Sequence, residues 1–179
     1  MVYSLYFGGF GFLCILIYDL SQLYNHPAVT RITSFIGFSS VILALFLEIF
    51  LYRPSFSQSS MLIPKYIVML ASLTLLIYSL FVETAAGAPD SAGNIRTAVT
   101  DGTYSLSRHP GFLWFLCLQI SINWLCGRVE VIIIGVTLSI MDYVLIVLED
   151  IWIFPRLFSN YEEYKKSVPM IIPGLKGKR

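Results

Sequence analysis

Three groups of side chains in this sequence could do chemistry together. Arg108-His109-Pro110 places a guanidinium beside an imidazole. Glu149-Asp150 is a pair of adjacent carboxylates, and Tyr104, Tyr161 and Tyr164 flank these positions along the chain. A guanidinium grips a carboxylate through two parallel hydrogen bonds, a carboxylate pairs an ammonium, and tyrosine faces accept a flat ring. Where a proton must leave an acceptor, His109 or Glu149 is the candidate base. Each group also has an ordinary use. Arg108 could reach lipid headgroups while Pro110 simply starts a helix, where its missing N–H costs nothing. Glu149-Asp150 could be a plain helix terminus, although the helix dipole disfavours carboxylates there. His26-Pro27 is a second His-Pro pair with no such surroundings and is assigned no role.

The elements that must position these groups are apolar. Of 179 residues, 56% are hydrophobic and only 13% charged, with a net charge of +1. That balance excludes a disordered chain and a basic nucleic-acid-binding face. It also leaves more apolar surface than a soluble domain of this length could hide. Five apolar stretches stand out: Tyr3–Leu20, Ser34–Leu51, Tyr66–Val82, Phe112–Cys126 and Val131–Leu148. A helix needs about 20 apolar residues to cross a bilayer. The third stretch reaches that length once Ile63 and Pro64 are added, and the fourth is short and must begin at or before Pro110. The expected fold is therefore all-α: a polytopic membrane protein of about five transmembrane helices. Residues 1–82 form three of these helices and residues 97–178 a carboxyl-terminal core, within one domain spanning 1–179.

The first stretch lacks a basic start and a clean cleavage site, and is expected to stay as a helix. Cys14, Cys117 and Cys126 all lie in apolar stretches, as buried small hydrophobes would. With five spans, one side of the membrane holds Arg53, Lys65 and Arg128. The other holds Arg31, Arg96, Arg108, Arg156, Lys165, Lys166, Lys176, Lys178 and Arg179. The excess of basic residues places the carboxyl terminus in the cytoplasm and the amino terminus outside.

Three acids lie inside apolar stretches: Asp19, Glu48 and Asp142. Asp142 and Glu149 are seven apart and share nearly one helix face. Asp142 either lines a cavity or makes a structural hydrogen bond, with Asn123 or Ser121 as partner. Glu48 sits near a helix end, from which it should reach the surface. Outside the helices, Glu83–Pro110 is a long connection of the kind usually reserved for function. The tail from Glu149 to Arg179 opens with the paired acids at the end of the fifth helix. Ser159-x-x-Glu162 has the form of a capping box for a short helix through Tyr161, Tyr164 and Lys165. Val168-Pro169 to Pro173 cannot continue that helix and should be extended. Both segments fall on the predicted cytoplasmic side and can meet as a cofactor pocket.

Gly102-x-Tyr104-x-x-x-Arg108-His109-Pro110, a membrane hairpin, Glu149-Asp150, and then Phe158 to Pro173 with Tyr161, Tyr164 and Val168-Pro169 follow in order. This arrangement resembles the isoprenylcysteine carboxyl methyltransferases and the related phospholipid methyltransferases, small membrane enzymes that use S-adenosylmethionine. The resemblance covers about Thr97 to Lys178, and the first three helices match only as hydropathy. It implies S-adenosyl-L-methionine as cofactor, held by Tyr104, Arg108, His109, Glu149, Asp150, Tyr161 and Tyr164. Among these, Arg108, Glu149 and His109 would carry catalysis. It further implies a lipophilic or prenylated acceptor entering from the bilayer, with no metal and no nucleic acid. The family's usual Tyr and small residue after Pro110 are replaced here by Phe112 and Trp114. An NADPH-dependent reductase of the sterol type shares a His-Pro loop and a Tyr…Tyr…Val-Pro tail. A non-enzymatic membrane protein could keep the same fold.

Overall fold

A computed structural model describes residues 1–53, 62–84 and 96–172. Most of the Ala/Gly/Pro-rich stretch between Thr84 and Gly93, and Pro173, Lys176, Lys178 and Arg179 of the tail, lie outside the described residues. Among those described, every regular element is helical.

Helix α1 (Val2–Leu23) and α2 (Pro27–Leu51) form a hairpin joined by three residues, with α2 opening on Pro27. Their backbones meet at Gly11 and Gly37. A Cβ on Gly11 would lie 2.9 Å from the Gly37 carbonyl, and one on Gly37 would lie 3.1 Å from that of Gly11. Small residues are what allow apolar helices to approach this closely. Helix α3 (Leu62–Ile77) continues as a π-turn over Tyr78–Glu83 and packs on α4 (Pro110–Cys126). Helix α5 (Val129–Leu148) returns along α4 after the left-handed Gly127 and also packs on α1. It does not stop at Glu149. It widens into a second π-turn, Glu149–Ile153, and ends in a single turn, α6 (Phe154–Leu157). The paired acids thus lie within a continuous helical run, not at its terminus. A last short helix, α7 (Tyr161–Ser167), follows.

Among the described residues, four helical runs are long and apolar enough to cross a membrane: Val2–Leu23, Pro27–Leu51, Leu62–Glu83 and Val129–Leu157. The expected fifth, α4, does begin at Pro110 but has 17 residues and falls below that group in length. The core between the helices holds Phe12, Leu45, Phe115, Leu118, Ile122 and Leu138. Large apolar side chains such as Phe35, Ile63, Leu70 and Ile140 face outward. The four long apolar helices and this greasy exterior are compatible with an integral membrane protein.

One acid departs from expectation, and for a second, one of its two expected alternatives is not met. Glu48 does not reach the surface: it is 0% exposed, and neither carboxylate oxygen has a partner among the described residues. Its helix turns it inward, between residues of the core, rather than toward the bilayer edge. Asp142 makes no hydrogen bond to Asn123 or Ser121. Ser121 instead donates to the carbonyl of Cys117, and the Asn123 Oδ1 has no partner among the described residues.

Candidate functional site

Pro110 sets where the site begins. As the first residue of α4 it leaves His109 at the N-cap, with φ −125° and ψ 64°, outside helical geometry. The His109 amide is free to bond elsewhere, and it donates to the Met170 carbonyl at 3.2 Å. The Arg108 amide donates to the Pro169 carbonyl at 3.0 Å, and the Ser107 hydroxyl to Met170 at 2.9 Å. The tail can accept these bonds because Val168 is extended (φ −125°, ψ 136°). The expected extended segment is therefore present at Val168, and its carbonyls clasp the residues before α4.

Arg108 organises the centre. Its Nε and Nη2 donate to the two Asp150 carboxylate oxygens at 2.8 and 3.0 Å. Its Nη1 donates to the carbonyls of Val168 at 2.7 Å and Lys165 at 3.2 Å. Tyr161 donates to the same carboxylate at 2.8 Å. Arg108 and Asp150 are 9% and 5% exposed, so this is a nearly dry pair with its hydrogen-bonding capacity largely filled. Such a pair adds little net stability over apolar packing, but loss of one partner is costly.

His109 lies beside this pair. Its Nδ1 is 3.4 Å from Glu149 Oε2 and its Nε2 is 3.5 Å from Asp150 Oδ1, and its ring stacks on Phe154. Burial by itself would lower the imidazole pKa. The Asp150 and Glu149 carboxylates outweigh burial and hold it above the ordinary histidine value. Glu149 is less committed than Asp150, since its contact with His109 is longer than a good hydrogen bond.

The π-turns explain why acids and carbonyls point here. A wide turn frees carbonyls from the regular helical ladder and redirects side chains. The first turn presents the Ser79 carbonyl, which accepts from the Tyr104 hydroxyl at 3.2 Å. It also presents Glu83, which accepts the Thr103 amide at 2.7 Å and the Thr103 hydroxyl. Gly102 is required beneath that carboxylate: it has φ +59°, and a Cβ there would meet Glu83 Oε1 at 1.8 Å. The second turn presents Glu149 and Asp150.

Tyr104, Tyr161, Tyr164, Val168, Ala98, Phe154 and Phe158 form a small core of their own. Tyr164 is buried and its hydroxyl donates to the Tyr104 carbonyl at 2.5 Å. Burial, and then the Asp150 bond and charge, raise the Tyr161 phenol pKa well above normal, so it acts as a donor. Beside this core lies a cavity of about 320 Å³ walled by Tyr104, Arg108, Phe158, Tyr161, Tyr164 and Arg96. All seven residues singled out in the sequence are thus brought to one place. Tyr104, Arg108, Tyr161 and Tyr164 face the cavity, while His109, Glu149 and Asp150 are not among its lining residues.

The capping box is not formed. Helix α7 begins after Asn160 without a side-chain cap. Ser159 instead contacts the Arg96 carbonyl through its amide at 3.0 Å. Asn160 pairs with both backbone groups of Ala98, at 2.7 and 3.1 Å. Tertiary bonds to the incoming loop have replaced the local cap. Asp19, noted in the sequence but given no role there, is 4% exposed and faces Glu149 from α1. Its signal was present: an acid within an apolar stretch. Glu83, Ser79 and Asn160 carried no comparable signal, because their roles depend on the π-turn and on the loop's path. Among the described residues, no group of His, Cys, Asp and Glu could hold a metal ion.

Comparison with protein families, curated proteins and solved structures finds no match for this chain.

Proposed function

We propose that this chain is a membrane methyltransferase that uses S-adenosylmethionine and acts on a lipophilic or prenylated acceptor. One observation carries the reading: the loop before α4 and the tail close around an aromatic cavity that Arg108 helps to wall, and Asp150 holds that arginine in place. The residues suit such a cofactor. Ring faces of the half-buried Tyr104 and Phe158 can take an adenine, and Glu149, beside His109 and Asp19, is the carboxylate that would pair an ammonium.

The roles of the residues follow from their bonds. Arg108 is a positioning residue, because most of its donors are spent on Asp150 and the tail carbonyls. Asp150 and Tyr161 lock it in place, and Tyr164 ties α7 to the Tyr104 turn. Methyl donation from a sulfonium is the chemistry the cofactor supplies when bound. The protein then has to align donor and acceptor, exclude water and, for an amine or thiol acceptor, remove a proton. His109 and Glu149, which adjoin Arg108 and Asp150 without lining the cavity, are the candidates to take that proton, whereas a carboxylate acceptor needs no base. With α4 counted as a short fifth span, the excess of basic residues puts this cavity and the carboxyl terminus in the cytoplasm.

Calorimetry of the detergent-purified chain with S-adenosylhomocysteine and, separately, NADPH tests the reading. Binding of the former alone is expected. Glu149→Gln should weaken it by about 30-fold or more, the cost of leaving an ammonium without its partner. Asp142→Asn, which removes an acid with no bond to lose, should bind within a few-fold of wild type. Binding of NADPH alone would transfer the site to the reductase reading.

A further inference from the structure

A second concavity, of about 450 Å³, lies at the α1–α2 turn. Its walls include Ser21, His26, Thr30, Arg31 and Arg96, and among the described residues no carboxylate lines it. The two arginines come from separate parts of the chain. Arg31 stands on the second turn of α2, and Arg96 precedes the loop that feeds the candidate site. Arg96 Nη1 donates to Gln22 Oε1 at 2.9 Å, which holds its guanidinium toward α1 and leaves its other donors free of side-chain bonds among the described residues. Ser21 and Thr30 join their hydroxyls at 2.7 Å across the hairpin. Helix α2 opens on Pro27 without a side-chain cap, so its positive end adds to the same field.

We propose that this concavity binds a phosphate group carried by an anionic phospholipid headgroup. Two guanidiniums match a phosphate, which each can grip through paired N–H donors, and the nearest described acid, Asp19, is buried behind Gln22 and does not line the concavity. The lipid source follows from position. The turn joins two helices long enough to cross a bilayer, so it lies at headgroup depth. Just beyond it, Tyr24, Val29 and Ile32 expose apolar surface on which acyl chains could lie. A choline headgroup would bring its own cation against the two arginines and be disfavoured.

Native mass spectrometry of the full detergent-purified chain decides the matter, with phosphatidylglycerol or phosphatidylcholine added in separate arms. One phosphatidylglycerol molecule should be retained, preferred about tenfold over phosphatidylcholine. Arg31→Gln should remove most of that preference and Arg31→Lys should keep much of it. Both side chains are exposed at this position, so folding is not at stake. Arg96 also walls the aromatic cavity, which makes Arg31 the cleaner probe. Lys65→Gln, a cation that lies instead over Trp124, should change nothing. Equal retention of the two lipids, or retention unaffected by Arg31→Gln, would overturn the proposal. A third arm adds inorganic phosphate and follows thermal unfolding. If phosphate stabilises the protein in an Arg31-dependent way while no lipid is retained, the lipid assignment is overturned.

Discussion

Glu48 and Asp150 are both buried carboxylates, at 0% and 5% exposure, and their surroundings are opposite. Asp150 accepts from Arg108 twice and from Tyr161, and lies near Lys165. Glu48 has the amide of Gln119 beside it, but among the described residues neither makes a hydrogen bond of good geometry. The helical bundle is held by apolar packing and by the Gly11–Gly37 approach, and it carries its few polar groups as a burden. The loop–tail junction has a small aromatic core and is held by bonds between distant segments. Packing can position a helix within a bundle, but it does not orient a carboxylate. Orientation comes from directional bonds, and those are concentrated where the candidate chemistry lies.

The largest effects should come from exchanging the two acids for amides. Asp150→Asn strands the Arg108 charge and should cost about 3–5 kcal/mol. Glu48→Gln removes an unpartnered carboxylate and should leave stability unchanged or raise it by up to about 2 kcal/mol. Thermal unfolding in one detergent compares them directly, and equal losses would erase the distinction between the two regions.

A smaller effect should follow pH. His109 is faced by Glu149 and Asp150, by the ring of Phe154, and more remotely by Asp142. Its folded pKa is raised, so its charged form stabilises the fold. That contribution is fully present below the unfolded value of about 6.5 and is lost as pH rises through the folded value. The melting temperature should therefore fall over that window in the wild type and stay flatter in His109→Gln. A wild-type profile parallel to that of the variant would show that His109 is not a charged partner of the acids.

The smallest effects sharpen the account of α7. Asn160→Ala loses both bonds to Ala98 and should cost about 1–2 kcal/mol. Ser159→Ala should stay within about 0.5 kcal/mol. The reverse order in thermal unfolding would restore Ser159 as a helix cap.

Much of the architecture was legible from hydropathy. The apolar stretches became helices because a chain in an apolar setting must satisfy its backbone internally, and Pro110 marked the start of α4. The candidate site residues were legible by type, since arginine, histidine and paired acids between apolar helices are costly to keep without a use. The capping box at Ser159 and the surface placement of Glu48 were misread for one reason. Both relied on local position, and both were decided by what another segment brings alongside.

The amino-acid sequence by itself determined that the chain is helical and apolar enough to suit a membrane, and which polar residues must be accounted for. Those properties reside in composition and periodicity, which act over a few residues. Only the tertiary structure decided that the helix runs on through Glu149 as a π-turn, that Arg108 is bound to Asp150, and that Asp19 joins from α1. The last two depend on groups tens of residues apart meeting in one place. Their bonds are set by the angle and separation of packed helices, which no local pattern encodes.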